Sequence, residues 1–196
     1  MPPAKASFEL PYKERTWNQE DEFTVIAIDP GGTTGWAKMS MDRNVLLDSK
    51  ADLSARNIDW TKGQVDCGSR RGELQDNGIS TGEFLGVQDI TRLLRENPTA
   101  AVVIEDFTLR QFRQDRDLLS PVRITAAIGY SLWLDGREYF TQTPADAKRV
   151  CTDTALRQWG LYDGDNMVHA RDATRHAVLM LRKIKSNKKL RERLFG

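Results

Sequence analysis

The apolar run at residues 23–28 ends abruptly in Asp29-Pro30-Gly31-Gly32, and no other feature of the chain constrains its fold as tightly. Near-continuous hydrophobicity over that length describes a strand covered on both faces, so other elements must pack above and below it. An aspartate at the end of such a strand, followed by proline and glycines, predicts a rigidly held carboxylate beside a turn that Gly31 and Gly32 keep free of side chains. Residues 36–40 then return as a second strand and residues 45–47 as part of a third, giving a hairpin-rich opening.

Beyond it the pattern alternates. Residues 48–79 are broken by glycines and charges and read as loop, with a strand near residues 64–67. Ser80 and Glu83 have capping-box spacing ahead of Phe84, Val87, Ile90, Leu93 and Leu94, a helical repeat that Asn97-Pro98 stops. A buried strand at 101–104 runs into Glu105-Asp106. Ser120-Pro121, a serine cap with proline at the first helical position, opens a helix reaching Leu134. A short strand at 138–142 precedes a helix begun by Thr143-Pro144, and a last helix covers about 167–185. A meander followed by alternating strands and helices predicts a mixed α/β sheet, antiparallel on one side and parallel on the other.

At 196 residues the chain holds one sizeable domain and lacks room for two large lobes. That weighs against an ATP-binding protein of the actin and sugar-kinase type, whose phosphate loop also follows a first strand with acid, glycine and threonine. There is no apolar run long enough to span a bilayer and no secretory signal pattern, so a soluble, cytoplasmic protein without membrane partners is expected. Cys67 and Cys151 stand alone and suggest neither a zinc knuckle nor a disulfide framework. The net charge of +1 hides an asymmetry: residues 182–193 carry seven basic residues and one acid, leaving a mildly acidic body. Such a segment suits a polyanion through counterion release, or equally a solvated helix end whose cations favour the dipole.

Three acids share one kind of placement. Asp29 and Glu105 close apolar strands, and Asp172 lies one turn into the last helix with His169 three residues before it. Ligands of α/β sheets gather beyond strand ends, and carboxylates brought together there repel unless a cation intervenes. Their hard oxygens suit magnesium or manganese, and sites of this kind often hold two ions about 3.5–4 Å apart for phosphodiester cleavage. On the last helix Ala170, Ala173, Ala177, Met180, Leu181 and Ile184 form an apolar stripe, Arg171, Arg175 and Arg182 fall opposite, and His169, Asp172 and His176 line one margin. His176 is read as structural, His169 as a ligand or proton-handling residue. Taken singly, each acid also has a plain reading as a turn, a strand exit or a helix-dipole partner.

The blocks "IAIDPGGTTGWA" (26–37), "VVIEDF" (102–107), Pro144 with Lys148 in "TPADAK", and "HARDA" (169–173) together resemble the RuvC-type Holliday junction resolvases of the RNase H-like nuclease superfamily. The resemblance implies a five-stranded RNase H-like sheet, antiparallel meander then parallel strands, flanked by helices. It also implies a metal-dependent, homodimeric endonuclease that nicks four-way DNA junctions symmetrically. Asp29, Glu105, His169 and Asp172 would then serve catalysis and hold Mg²⁺ or Mn²⁺, two ions per site. The domain divides as a 1–22 N-terminal arm, a 23–185 nuclease domain and a 186–196 basic tail. The tight turn between Pro30 and Gly35 and the extra arm fit a divergent, phage-encoded relative, acting in the host cytoplasm.

For DNA contacts the sequence offers Arg110, Arg113 and Arg116 with Phe112 between them, which read equally as a charged surface loop stabilised by Asp115 and Asp117, and also Arg123 and Lys148. The apolar helix 120–134 offers a dimer interface. Flap, branched-DNA or RNA–DNA hybrid cleavage is the alternative within the same chemistry, and a non-catalytic DNA-binding module the alternative outside it.

Overall fold

The computed structural model describes residues 21–68, 81–107 and 119–196. Its sheet has the order β3-β2-β1-β4-β5. Strands β1 (Glu22–Asp29), β2 (Thr33–Asp42) and β3 (Asp59–Asp66) form an antiparallel meander, while β4 (Ala101–Glu105) and β5 (Tyr139–Gln142) run parallel to β1. The helices are α1 (Arg43–Leu47), α2 (Thr81–Glu96), α3 (Ser120–Leu134), α4 (Pro144–Val150), α5 (Asp153–Gln158), α6 (Val168–Ser186) and α7 (Lys188–Phe195). Among the described residues no helix is long and apolar enough to cross a membrane.

Strand alternation sorts the core into two layers. Phe23, Val25 and Ala27 of β1, with Ala101 and Val103 of β4, pack against Ala173, Ala177, Met180 and Leu181 of α6. Ile26 and Ile28, with Val102 and Ile104, pack on the other side against Ile90 and Leu94 of α2 and Ile124, Ile128 and Leu132 of α3. Each Val, Leu, Ile, Phe or Met among them contributes about 1.5–3 kcal/mol when fully buried. The same period of two decides where the acids go. Ile28 pairs with Ile104, so Asp29 and Glu105, the next residue on each strand, end neighbouring strands on the α6 side.

Several expectations are corrected. Residues 45–47 are helical, because the Asp42 carboxylate caps Asn44 and Val45 (2.7 and 3.1 Å) and starts α1. The third strand is instead β3, longer than the stretch near 64–67. Ser120 does not cap α3: it lies inside the helix, Leu119 occupies the cap position and Ser120 Oγ is buried without a partner among the described residues. Thr143 does cap α4, accepting from Asp146 N at 3.2 Å. Ser80, the other expected cap, lies outside the described residues.

The basic segment is also not a free tail. Leu194 is 1% exposed, and Phe195 meets Phe23 edge-on with ring centroids 5.1 Å apart, so α7 completes the α6-side core. Several of its cations hold backbone or neighbouring groups. Lys185 donates to the carbonyls of Asp48 and Ala51 (2.6 Å each), Arg191 to that of Lys185 (2.6 Å), and Arg193 to Glu138 (2.6 Å). Cys67 and Cys151 are both buried and not joined in a disulfide, and burial pushes the Cys151 thiol up to about 11.

Candidate active site

The N-terminal turn of α6 is brought onto the ends of β1 and β2 by two devices. Gly35 of β2, paired with Asp29, faces the backbone of His169 and Ala170 so closely that no side chain fits between them. α6 also has no side-chain cap of its own; Gln64 of β3 supplies one, its Oε1 accepting from the amides of His169 (2.9 Å) and Ala170 (3.4 Å). The glycine the fold requires is therefore Gly35 rather than Gly31 or Gly32. Neither of those has a positive φ, and a Cβ on Gly32 would meet nothing.

With α6 in place, its inner residues meet the acids. Asp29 is 7% exposed, and its Oδ2 lies 2.9 Å from His169 Nδ1. Burial raises the Asp29 carboxyl above the ordinary aspartate range; the His169 hydrogen bond opposes this, and the charges of Glu105 and Asp172 add to it. His169 is raised in turn, chiefly by the hydrogen bond with Asp29. Glu105 Oε2 sits 2.7 Å from His176 Nε2, and His176 Nδ1 sits 3.1 Å from Gln142 Oε1. Asp172 Oδ2 faces Lys148 Nζ at 3.1 Å, while its Oδ1 bonds the Arg175 guanidinium.

Asp29, Glu105, His169 and Asp172 thus occupy one face of the sheet beneath one helix, close enough for their charges to couple. Their side chains are directed in pairs: among the described residues no three His, Cys, Asp or Glu side chains converge as a ready metal-holding group. The donor set still fits a divalent ion, because three carboxylate-bearing residues supply hard oxygens, and the charges of Glu105 and Asp172 add to the burial that raises Asp29.

Other positions differ from the sequence reading. Arg175, expected on the solvent side of α6, is 9% exposed, since its guanidinium bonds Asp172 and Asp153 and its Nε donates to the Cys151 carbonyl at 3.0 Å. Arg123 forks onto Glu83 of α2 (3.0 and 2.5 Å), joining α3 to α2 across the sheet from the acids. Lys148 stands at the rim of the acidic cluster, 56% exposed. Arg110, Phe112, Arg113 and Arg116 lie outside the described residues. The sequence reading missed Gln64, Gln142 and Arg175 and gave His176 no part in the site. The one signal for His176 was its spacing from His169 and Asp172, at i+7 and i+4 on the same helix margin.

No family model matches the sequence, and no curated protein matches it. The fold itself is RNase H-like, a mixed five-stranded sheet with helices on both faces. Among solved structures it is similar to that of Thermus thermophilus RuvC. The RuvC complex with a Holliday junction substrate superposes with a TM-score of 0.62 at 14% identity, covering 84% of this chain and 96% of that one. A second structure of T. thermophilus RuvC gives 0.59 at 15% identity with the same coverage.

Proposed function

We propose that the protein is a divalent-metal-dependent endonuclease that nicks branched DNA, with four-way junctions as its preferred substrate. One observation carries the reading: neighbouring ends of β1 and β4 bring Asp29 and Glu105 under the turn of α6 that bears His169 and Asp172, in a fold shared with a protein solved on a Holliday junction.

In this reading Asp29, Glu105, His169 and Asp172 hold magnesium or manganese, and two such ions supply an activated water and charge stabilisation for the leaving oxygen. Asp29, fixed at a buried strand end, would be one of their ligands. Lys148 presents a solvent-facing ammonium beside Asp172, where the negative charge of a phosphate arrives. The exposed side of α3 carries Val122, Tyr130, Trp133 and Leu134, with the Tyr130 and Trp133 rings stacked at 5.9 Å. This apolar strip is the proposed homodimer interface, and dimerisation would present two acidic sites to one junction; light scattering at micromolar concentration should give a dimer, and a monomer contradicts it.

The test is cleavage of labelled four-way junction, linear duplex, flap and RNA–DNA hybrid, each with magnesium, manganese or EDTA. Paired symmetric nicks in the junction alone, abolished by EDTA, are expected. Equal or better cutting of flaps or hybrids would move the substrate while keeping the site, and no cutting of any substrate would refute the nuclease reading.

A further inference from the structure

His176 is 1% exposed and lies deep under the sheet, yet it makes two polar contacts with different strands: Nε2 to Glu105 of β4 at 2.7 Å and Nδ1 to Gln142 of β5 at 3.1 Å. Gln142 is buried as well, and its Nε2 has no partner among the described residues. A buried polar residue of this kind is costly unless its bonds are made, so the arrangement needs a reason.

The donor inventory supplies one. A neutral imidazole donates from one nitrogen and accepts at the other. Glu105 as a carboxylate can only accept, which places the imidazole proton on Nε2 and leaves Nδ1 to accept. Turning the Gln142 amide over then aims its NH₂ at Nδ1 and gives the orphaned donor a partner, so each link in the series Gln142–His176–Glu105 joins a donor to an acceptor.

We infer that His176, held by Gln142, is a positioning residue that fixes one oxygen of Glu105 and leaves the other oxygen directed for a metal ion. The inference rests on the metal-dependent reading above, and concerns how Glu105 is oriented. Hydrogen-bonded partners behind a ligand change metal affinity by about 10–100-fold when removed. Helix α6 thereby serves the site twice, from His169 and Asp172 directly and from His176 through Glu105.

The relay is read first in metal-free protein, by ¹⁵N NMR of the His176 ring. A protonated Nε2 is expected, and a bare Nε2 with the proton on Nδ1 overturns the relay. Its consequence is read by Mn²⁺ binding followed by electron paramagnetic resonance, on protein checked for folding by circular dichroism. His176→Leu should bind Mn²⁺ about tenfold more weakly. His176→Gln, whose amide nitrogen can replace Nε2–H, should recover to within about threefold of the parent, with junction binding in EDTA unchanged in both. Parental Mn²⁺ affinity in folded His176→Leu, or no recovery in folded His176→Gln, overturns the proposal. Mn²⁺ affinity that Glu105→Gln leaves untouched refutes Glu105 as a metal ligand instead, and the ring spectrum still decides the relay on its own.

Discussion

Replacing Gly35 by alanine should damage stability and site geometry together. The added methyl group would lie 2.5 Å from the Ala170 amide nitrogen and closer still to the carbonyl of His169. Ordinary contact needs about 3.5 Å, so the first turn of α6 would have to retreat by at least about 1 Å from β2. The obstacle is backbone on both sides, which no rotamer change relieves. Overpacking of this kind costs about 1–3 kcal/mol. Gly35 has no positive φ, so alanine gains some stability by restricting the unfolded chain, worth up to about 1 kcal/mol, and the steric cost outweighs it.

The functional loss should be larger than the stability loss. His169 sits at the point of contact and bonds Asp29, so a 1 Å retreat would displace the pair, and misplacement on that scale costs about 10²-fold in rate. Urea unfolding followed by tryptophan fluorescence gives the first quantity, and junction cleavage at a temperature where both proteins are folded gives the second. Gly32→Ala, which meets nothing, is the control and should keep both. Gly35→Ala with parental stability and cleavage would refute the account of how α6 is seated.

Arg175→Met should lower the unfolding free energy by about 2–4 kcal/mol in urea titration, because it takes the guanidinium from Asp172, Asp153 and the Cys151 carbonyl; the figure is below that of a fully buried pair since Asp153 is 40% exposed and Asp172 keeps Lys148. Metal-free protein should lose stability as pH rises. His169 has a folded-state pKa raised above its ordinary 6.5, so the folded state binds more protons, and the contribution is complete below that value and lost as pH rises through the folded one. The raised Asp29 carboxyl acts in the same direction at lower pH. His169→Gln should flatten the fall in urea midpoint that sets in as pH rises past the ordinary histidine value, and divalent ions should oppose it by competing with the proton.

The elements legible in the sequence are those whose signal is local. β1 and β4 are short apolar runs, and α2, α3 and α6 repeat at helical spacing, so the sheet's centre and both acidic strand ends could be placed from residue order alone. β3 could not, since Asp-Trp-Thr-Lys-Gly-Gln-Val-Asp at a half-buried edge carries no clean alternation. α1 was misread because Val45 to Leu47 are apolar and β-compatible, while the deciding group is the Asp42 cap. Arg175 looked solvent-facing because a single-helix projection cannot see Cys151 and Asp153, which cover that side of α6 from another part of the chain. His176 was legible as a neighbour of Asp172 but not as a partner of Glu105, whose contact spans 71 residues. Gly35 was quoted within the strand-end motif, yet the need for it lies in a helix more than a hundred residues away.

The central claim is that the carboxylates beneath α6 perform cleavage rather than merely hold the fold. It is tested most directly by comparing parent, Asp29→Asn and Glu105→Gln for cleavage of a four-way junction in magnesium and for binding of the same junction in EDTA. The account predicts that both variants bind as the parent does and cut none, because each removes a metal ligand and little packing. Turnover retained in both variants would contradict it.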